Sequence, residues 1–174
     1  MGDEGKLYVP LDLVSVYREK VVPVASMLTP NQFEAELLTG NRIDSESKGR
    51  EACNILHAAG PSKVVITSIN IDGSLLLIGS HDKEKSNPEN SFTALANGII
   101  STNNCFGASQ KYPDNLEKAA ELAVSSLQAL LQRTLSDYKR AGHDPQSSSL
   151  EIRLIQSQED IRNPQVNFKA ERYN

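Results

Sequence analysis

Apolar side chains recur every three or four positions in four stretches of the chain, and this period predicts helices. The predicted helices are Leu11–Ala25, Gln32–Thr39, Ser47–Ala59 and a fourth that runs from a cap at Asp114 to about Tyr138. Asn31 and Ser45 are expected N-caps, and Asp114 with Glu117 resembles a capping box. Pro23 is expected to stop or bend the first helix, because proline has no N–H to donate.

Short runs of β-branched and aliphatic residues predict the strands. Ser26–Leu28 and Lys63–Ser68 are expected to be buried strands. The turn Asn70–Gly73 joins the second of them to a strand at Ser74–Ser80, which predicts a hairpin. Apolar and charged residues alternate over Leu150–Leu154, which predicts a half-exposed strand before a helical turn at Ser157–Ile161.

The alternation of helices and strands predicts a layered α/β fold with a largely parallel sheet and antiparallel strands at one edge. A length of 174 residues is sufficient for one domain with its own core. No period persists through His81–Gln110, and its two apolar patches, Phe92–Ala96 and Ile99–Ile100, are too weak to assign. We therefore expect residues 85–110 to be an atypical, disordered segment.

Composition excludes several classes of function. Eighteen basic against 22 acidic residues give a net charge of −4, which argues against nucleic acid as a partner. No apolar run approaches the roughly 20 residues of a membrane span, and the first residues do not resemble a signal peptide. The two cysteines, Cys53 and Cys105, suggest neither a disulfide framework nor a metal site. We expect a cytoplasmic protein.

The strongest candidate for chemistry is a polar loop that follows a predicted strand and leads into a helix. Thr29 and Asn31 lie in this loop, and Glu34 lies in the first turn of the helix. Ligands of α/β sheets bind outside the carboxyl ends of strands, and helix N-termini offer free N–H groups to anions. Glu34 is a candidate for holding a hydrated Mg²⁺. From physics alone, an ordinary N-cap is the favoured interpretation.

Two further candidates are weaker. Thr67 and Ser68 close a predicted strand, where hydroxyl groups can reach a nucleotide, although polar residues are also ordinary at strand ends. Asp3 stands beside a flexible glycine and signals little by itself. No phosphate-binding Gly-x-x-x-x-Gly-Lys-Ser/Thr loop and no Gly-x-Gly-x-x-Gly motif occurs. The three histidines, His57, His81 and His143, are too far apart in the sequence to predict a metal cluster.

Taken together, these segments resemble pyridoxal kinase, and most closely its plant members. The resemblance covers nearly the whole chain except roughly residues 85–110. Its most specific motif is Thr-Pro-Asn-x-x-Glu, which is typical of the broader ribokinase-like superfamily. The matching runs are Met1–Pro10, Tyr17–Pro23, Leu28–Leu37, Val64–Ser68, Lys111–Leu116, Leu130–Thr134 and Leu150–Ser157.

The resemblance implies a ribokinase-like α/β fold that transfers the ATP γ-phosphate to the 5′-hydroxymethyl group of pyridoxal, pyridoxine or pyridoxamine. It implies ATP and Mg²⁺ as cofactors, with a monovalent cation such as K⁺ in addition. The carboxylates that match metal-side positions are Asp3 and Glu34. The full set of implied cofactor-binding residues is Asp3, Thr29, Asn31, Glu34, Thr67 and Ser68.

Two departures from the family pattern weaken the expectation of activity. The family carries a Gly-Thr-Gly-Asp segment that supplies an anion hole and a catalytic base, and none occurs here. The first acidic residue after Phe92 is Asp114, so we assign no catalytic residue. The chain also starts inside a family motif, so we expect it to lack the N-terminal strands and the vitamin pocket.

Three interpretations follow. The chain is a pyridoxal kinase, with catalysis impaired; or it is a non-catalytic fragment that binds Mg-ATP; or it is an interaction partner of a full-length kinase or of a second copy. It would meet the B6 vitamer only if the missing half were supplied. Turnover of pyridoxal separates the first interpretation from the others, and dependence of solubility on a partner separates the last two.

Overall fold

The computed structural model describes residues 1–3, 5–82, 91–95, 102–142 and 151–172. The strands in these residues are β1 (Gly2–Asp3), β2 (Lys6–Leu7), β3 (Met27–Leu28), β4 (Lys63–Ile71), β5 (Ser74–His81), β6 (Ser91–Leu95) and β7 (Ala170–Arg172). The α-helices are α1 (Asp12–Val16), α2 (Gln32–Thr39), α3 (Glu46–Ala59), α4 (Thr102–Lys111), α5 (Leu116–Arg140) and α6 (Gln158–Arg162). Among them, no helix is both long and apolar enough to cross a bilayer.

The first predicted helix is helical throughout but not regular. α1 continues as a π-helical turn over Tyr17–Val21 and then as a 3₁₀ turn over Val22–Val24. Pro23 lies in the 3₁₀ turn and has no N–H for an i→i−4 bond, so the regular ladder cannot include it. The backbone is extended at Ala25 and enters β3 two residues later.

Within the described residues, five strands form the main sheet, in the order β3-β4-β5-β6-β7. Of the neighbouring pairs in this part of the chain, only β3 and β4 are parallel, and the others are antiparallel. The expected antiparallel strands at one edge are therefore confirmed, whereas the expectation that the sheet is largely parallel is wrong over the described residues. For β4 and β5 the physical reason is the tight turn at Asp72 and Gly73, whose φ values of 51° and 80° reverse the chain between the two strands. The predicted hairpin itself is confirmed.

Helices cover both faces of this sheet. Val64 and Ile78 contribute to a core that α2 and α3 cover, while Val65 and Leu77 point into a second core beneath α5. Alternate residues of one strand therefore belong to opposite cores, as the two-residue period of a strand requires. The predicted layered α/β architecture is confirmed.

A glycine sets the distance between α3 and β5. Gly49 is buried, and a Cβ built on it would collide with the Cδ1 atom of Ile78. The helix can therefore lie directly against the strand, with Ile78 filling the space that a larger residue would take. Ile78 itself is fully buried.

The start of α5 lies one residue later than the predicted capping box. Asn115, and not Asp114, is the N-cap: its side chain accepts a hydrogen bond from the Lys118 N–H at 2.9 Å. Asparagine is as good a cap as aspartate, so the helix can begin one residue later than predicted at no cost in capping. The helix ends at Arg140, two residues beyond the predicted end.

The strand predicted at Leu150–Leu154 is wrong over the residues that the structure describes. Residues 151–153 have no regular structure and residues 154–157 form a turn. The Glu151 N–H donates to the Tyr138 hydroxyl at 3.0 Å, and the Arg153 N–H donates to Thr134 Oγ1 at 3.1 Å. Side chains of α5 therefore satisfy backbone groups that a neighbouring strand would otherwise bind.

The helical turn predicted after this segment is α6, one residue later than expected. A 2.5 Å ion pair between Arg133 Nε and Asp160 Oδ2 joins it to α5. The Arg133 guanidinium, through its hydrogen bond first, lowers the pKa of Asp160 below its usual value.

The segment expected to be disordered contains regular structure. β6 occupies residues 91–95 and pairs with β5 and β7, and α4 begins at Thr102. The weak Phe92–Ala96 patch is thus a strand through Leu95, stabilised by two neighbours that its own pattern does not reveal. Ile99 and Ile100 lie outside the described residues, as do His143 and most of the predicted loop Gly142–Ser149.

We predict that Cys53 is chemically silent in the folded protein. It is fully buried, and burial raises the pKa of its thiol to about 12. In a Cys105→Ser variant, iodoacetamide should modify the native protein negligibly at pH 8 and modify the unfolded protein at an ordinary thiol rate. Native labelling at the unfolded rate would contradict the burial.

The same thiol should give a pH dependence of stability. The unfolded thiol ionises first, near pH 9, so the folded state binds more protons between about pH 9 and pH 12. The free energy of unfolding should therefore fall as pH rises through this range, by up to about 1.4 kcal/mol per pH unit from this group. A Cys53→Ala variant should lose that component of the slope.

Candidate functional site

The loops that follow β3 and β4 lie side by side at the carboxyl ends of the two parallel strands. The Pro30 carbonyl accepts from the Thr67 N–H at 2.8 Å, and Asn31 pairs with Thr67 as an isolated parallel bridge. The structure therefore brings Thr29–Asn31 and Thr67–Ser68 together at one edge. This is the place where ligands of open α/β sheets bind.

Asn31 starts α2 through a complete capping box. Its Oδ1 accepts from the Glu34 N–H at 2.8 Å, while Glu34 Oε2 accepts from the Asn31 N–H at 3.2 Å. The ordinary N-cap interpretation is confirmed. The cap leaves the other atoms of both side chains, Asn31 Nδ2 and Glu34 Oε1, to make further contacts.

These two atoms contact the first three residues of the chain. Asn31 Nδ2 donates to the Gly2 carbonyl at 2.8 Å and lies 3.4 Å from Asp3 Oδ1. Glu34 Oε1 lies 2.5 Å from the Met1 nitrogen and 3.4 Å from the Gly2 nitrogen. The two residues of the capping box thus place the exposed Asp3 carboxylate beside the N-terminus of α2.

Gly2, the flexible glycine beside Asp3, has no room for a side chain. A Cβ at this residue would lie 2.5 Å from the Lys6 carbonyl oxygen and 2.7 Å from a ring carbon of Phe33. Only glycine therefore lets the β1–β2 hairpin sit against α2. The sequence indicated the flexibility of this glycine, and the structure adds the close packing that requires it.

Thr67 and Ser68 occupy an irregularity in β4. The pairing with β5 shifts between Ile66 and Ile69, and Ser68 has a left-handed φ of 55°. Such bulges redirect side chains and recur beside functional sites. Thr67 is only 2% exposed, and its hydroxyl is 3.4 Å from the Pro30 carbonyl, so it also ties the two loops together.

The acidic residues of this edge suit a hydrated divalent cation. Asp3 is exposed, and Glu34 is half-buried with its oxygens engaged by nitrogen donors. Within the described residues, no group of three or more His, Cys, Asp or Glu side chains could hold a metal. One or two carboxylates are what Mg²⁺ needs when water and phosphate oxygens complete its coordination.

His57 belongs to the scaffold. It lies on α3, and its Nδ1 atom is 2.7 Å from the Pro61 carbonyl oxygen, four residues further along the chain. This contact stabilises the end of α3.

Comparisons with known proteins identify the relatives of this arrangement. The model of the phosphomethylpyrimidine kinase family matches residues 2–134. A pyridoxal kinase of Arabidopsis thaliana is 72% identical over 182 residues, which cover 99% of this chain and 59% of that protein. The human pyridoxal kinase is 39% identical over 187 residues, which cover 96% of this chain and 60% of that protein.

The fold has matching solved structures. A Leishmania donovani pyridoxal kinase in complex with ADP superposes with a TM-score of 0.81 at 26% identity, covering all of this chain and 60% of that one. This chain therefore spans about three fifths of the length of the relatives that it matches. The likeness confirms the predicted ribokinase-like α/β fold and the predicted resemblance to pyridoxal kinases. The chain belongs to the phosphomethylpyrimidine kinase family.

Proposed function

We propose that this chain is the nucleotide-binding part of a pyridoxal kinase and holds Mg-ATP at the carboxyl ends of β3 and β4. The observation that carries the proposal is the hydrogen-bonded cluster of Asp3, Asn31 and Glu34 at the N-terminus of α2. It joins a carboxylate, an amide and a helix N-terminus, which suit a metal-bound polyphosphate. A related Leishmania kinase was solved in complex with ADP, which supports a nucleotide as the ligand.

Each residue of the edge has a proposed part in this function. Asp3 approaches the cation, and Glu34 positions water around it while its other contacts keep it fixed. Thr29 and Asn31 lie on the phosphate side. At the irregularity in β4, the partly exposed Ser68 is the accessible candidate for a nucleotide contact, whereas Thr67 is buried with its hydroxyl against the Pro30 carbonyl. When bound, Mg²⁺ neutralises charge on the phosphates. K⁺ as an additional ion and a cytoplasmic location stay predictions.

We further propose that phosphorylation of B6 vitamers by this chain is impaired. No Gly-Thr-Gly-Asp segment occurs in the sequence, and no acidic residue lies between Phe92 and Asp114. A catalytic base typically contributes 10²–10⁴-fold in rate and each anion-hole donor about 10²–10³-fold. The alternative, a fragment that binds Mg-ATP without catalysis, differs from an impaired kinase only in residual turnover.

Calorimetric titration with Mg-ATP tests the binding site. We expect saturable binding, and we expect Asp3→Asn to weaken it about tenfold in Mg²⁺ but little in EDTA, because the variant removes charge that faces the cation. Asp12→Asn is the matched control, since Asp12 is also acidic and exposed but lies in the first turn of α1. No binding by the unaltered folded chain would overturn the proposal.

Pyridoxal-dependent release of ADP tests the impairment separately. We expect a rate indistinguishable from that of buffer. Turnover that Asp3→Ala abolishes would show that the chain is an active kinase in spite of the missing segment.

A further inference from the structure

A cavity of about 450 Å³ lies between the end of α4, the middle of α5 and the end of α6. We call it the interhelical cavity. Its volume is within the range of sites for small molecules, roughly 300–1,000 Å³. None of its described lining residues belongs to the edge formed by β3 and β4, because the first of them along the chain is Gly107. A ligand in this cavity is therefore additional to a nucleotide at that edge.

The inner part of the interhelical cavity is aliphatic. Ala123 and Ser126 of α5 are buried, and the Ser126 hydroxyl donates to the Ile161 carbonyl at 3.5 Å, so its hydrogen is engaged within the wall. The half-buried side chains of Leu122 and Pro164 add further apolar surface. No aromatic ring occurs among the described lining residues, so a flat ligand finds no stacking partner in them. These walls suit a flexible hydrocarbon chain.

The rim of the interhelical cavity carries two positive charges. Lys111 at the end of α4 and Arg162 at the end of α6 both line it, and both residues are exposed. Within the part of the chain that the structure describes, neither side chain forms an ion pair with a carboxylate. The Lys111 ammonium lies 5.9 Å from the Tyr112 ring, which leaves its charge uncompensated. The rim therefore suits an anion.

The neighbouring acidic side chains are engaged elsewhere. Glu159 and Asp160 of α6 line a different cavity, and Asp160 pairs with Arg133 at 2.5 Å. Glu121, the residue before Leu122 in α5, accepts from the Ala170 N–H at 3.0 Å. None of the described lining residues of the interhelical cavity is acidic. Charge is thus segregated around α5 and α6, and the positive charge of the rim is available to a ligand.

We propose that the interhelical cavity binds a medium-chain aliphatic carboxylate. The hydrocarbon chain lies against the aliphatic walls, and the carboxylate lies at the rim between the Lys111 ammonium and the Arg162 guanidinium. Burial of the chain contributes about fourfold in affinity for each methylene group, and the two cations select the charged head group. The inference goes beyond the proposed function and does not depend on it.

Calorimetric titration of the full chain with octanoate at neutral pH tests the site. We expect saturable one-to-one binding, and we expect hexanoate, which is two methylene groups shorter, to bind about tenfold more weakly. The neutral analogue octan-1-ol should also bind about tenfold more weakly, because it gains nothing from the two cations.

Two variants locate the ligand. The double variant Lys111→Gln/Arg162→Gln should weaken octanoate binding about tenfold and leave octan-1-ol binding unchanged. It should fold normally, since both positions are exposed. Lys139→Gln/Arg140→Gln is the matched control, because it removes the same two residue types from exposed positions at the end of α5, outside the cavity. Ala108→Leu, which places a larger side chain in the wall, should weaken both ligands together.

Three outcomes would overturn the inference. One is octanoate binding that does not saturate, which is the behaviour of a detergent on an apolar surface. Another is equal affinity for octanoate and octan-1-ol. The third is the same octanoate affinity in the double variant of the rim and in its matched control. Mg-ATP titration of the unaltered chain reports on a different site, so failure of carboxylate binding and failure of nucleotide binding are distinguishable.

Discussion

Replacement of Asn31 by alanine should weaken Mg-ATP binding about tenfold and lower the free energy of unfolding by about 2 kcal/mol. The stability loss has two sources: the N-cap bond to the Glu34 N–H, for which alanine typically costs about 1 kcal/mol, and the bond from Nδ2 to the Gly2 carbonyl, which contributes a similar amount. The affinity loss follows because Asn31 positions both Asp3 and Glu34.

Asn115→Ala is the matched control for this variant. Asn115 caps α5 with the same kind of hydrogen bond, accepting from the N–H three residues on at 2.9 Å. It should cost about 1 kcal/mol of stability and leave Mg-ATP affinity unchanged. If calorimetry finds the same affinity in the Asn31 variant as in the Asn115 variant, the Thr-Pro-Asn loop is a helix cap and nothing more.

Replacement of Ile78 by alanine should have the largest effect on stability, a loss of about 3–4 kcal/mol in urea unfolding. The Ile78 side chain is fully buried in the core, and its Cδ1 atom fills the space above Gly49. The substitution removes apolar contacts and leaves a cavity that α3 and β5 cannot close without moving. Small domains have only about 5–15 kcal/mol of stability in total, so this single substitution is expected to remove a large part of it.

The control is Ile155→Ala, an equal change in chemistry at a position 77% exposed, which should cost less than about 0.5 kcal/mol. Leu77→Ala provides a second comparison, because Leu77 belongs to the core on the other face of the same strand. We expect it to cost as much as Ile78→Ala. A small loss for either variant would mean that one of the two cores does not contribute to a cooperative fold.

The sequence by itself determined the local elements with a strong periodic or chemical signal. α2 starts and ends at the predicted residues, because Asn31 and Glu34 form the capping box and Gly40 takes a left-handed φ of 75° at its end. The β4–β5 hairpin was predicted for a similar reason, since its turn has few alternative conformations. The motifs also determined the family, because they name specific residues at fixed spacing.

Only the tertiary structure decided which elements are neighbours. The direction of the strands, the pairing of β6 with β7 and the absence of a strand at residues 151–157 depend on contacts between segments far apart in the sequence. The same holds for the site: Asp3 reaches Asn31 across 28 positions, and Gly2 matters because Phe33 packs against it. The residue pattern of one segment indicates its secondary-structure propensity and which of its residues are buried. Strand pairing and the proximity of distant residues depend on packing between segments, which the pattern of a single segment does not contain.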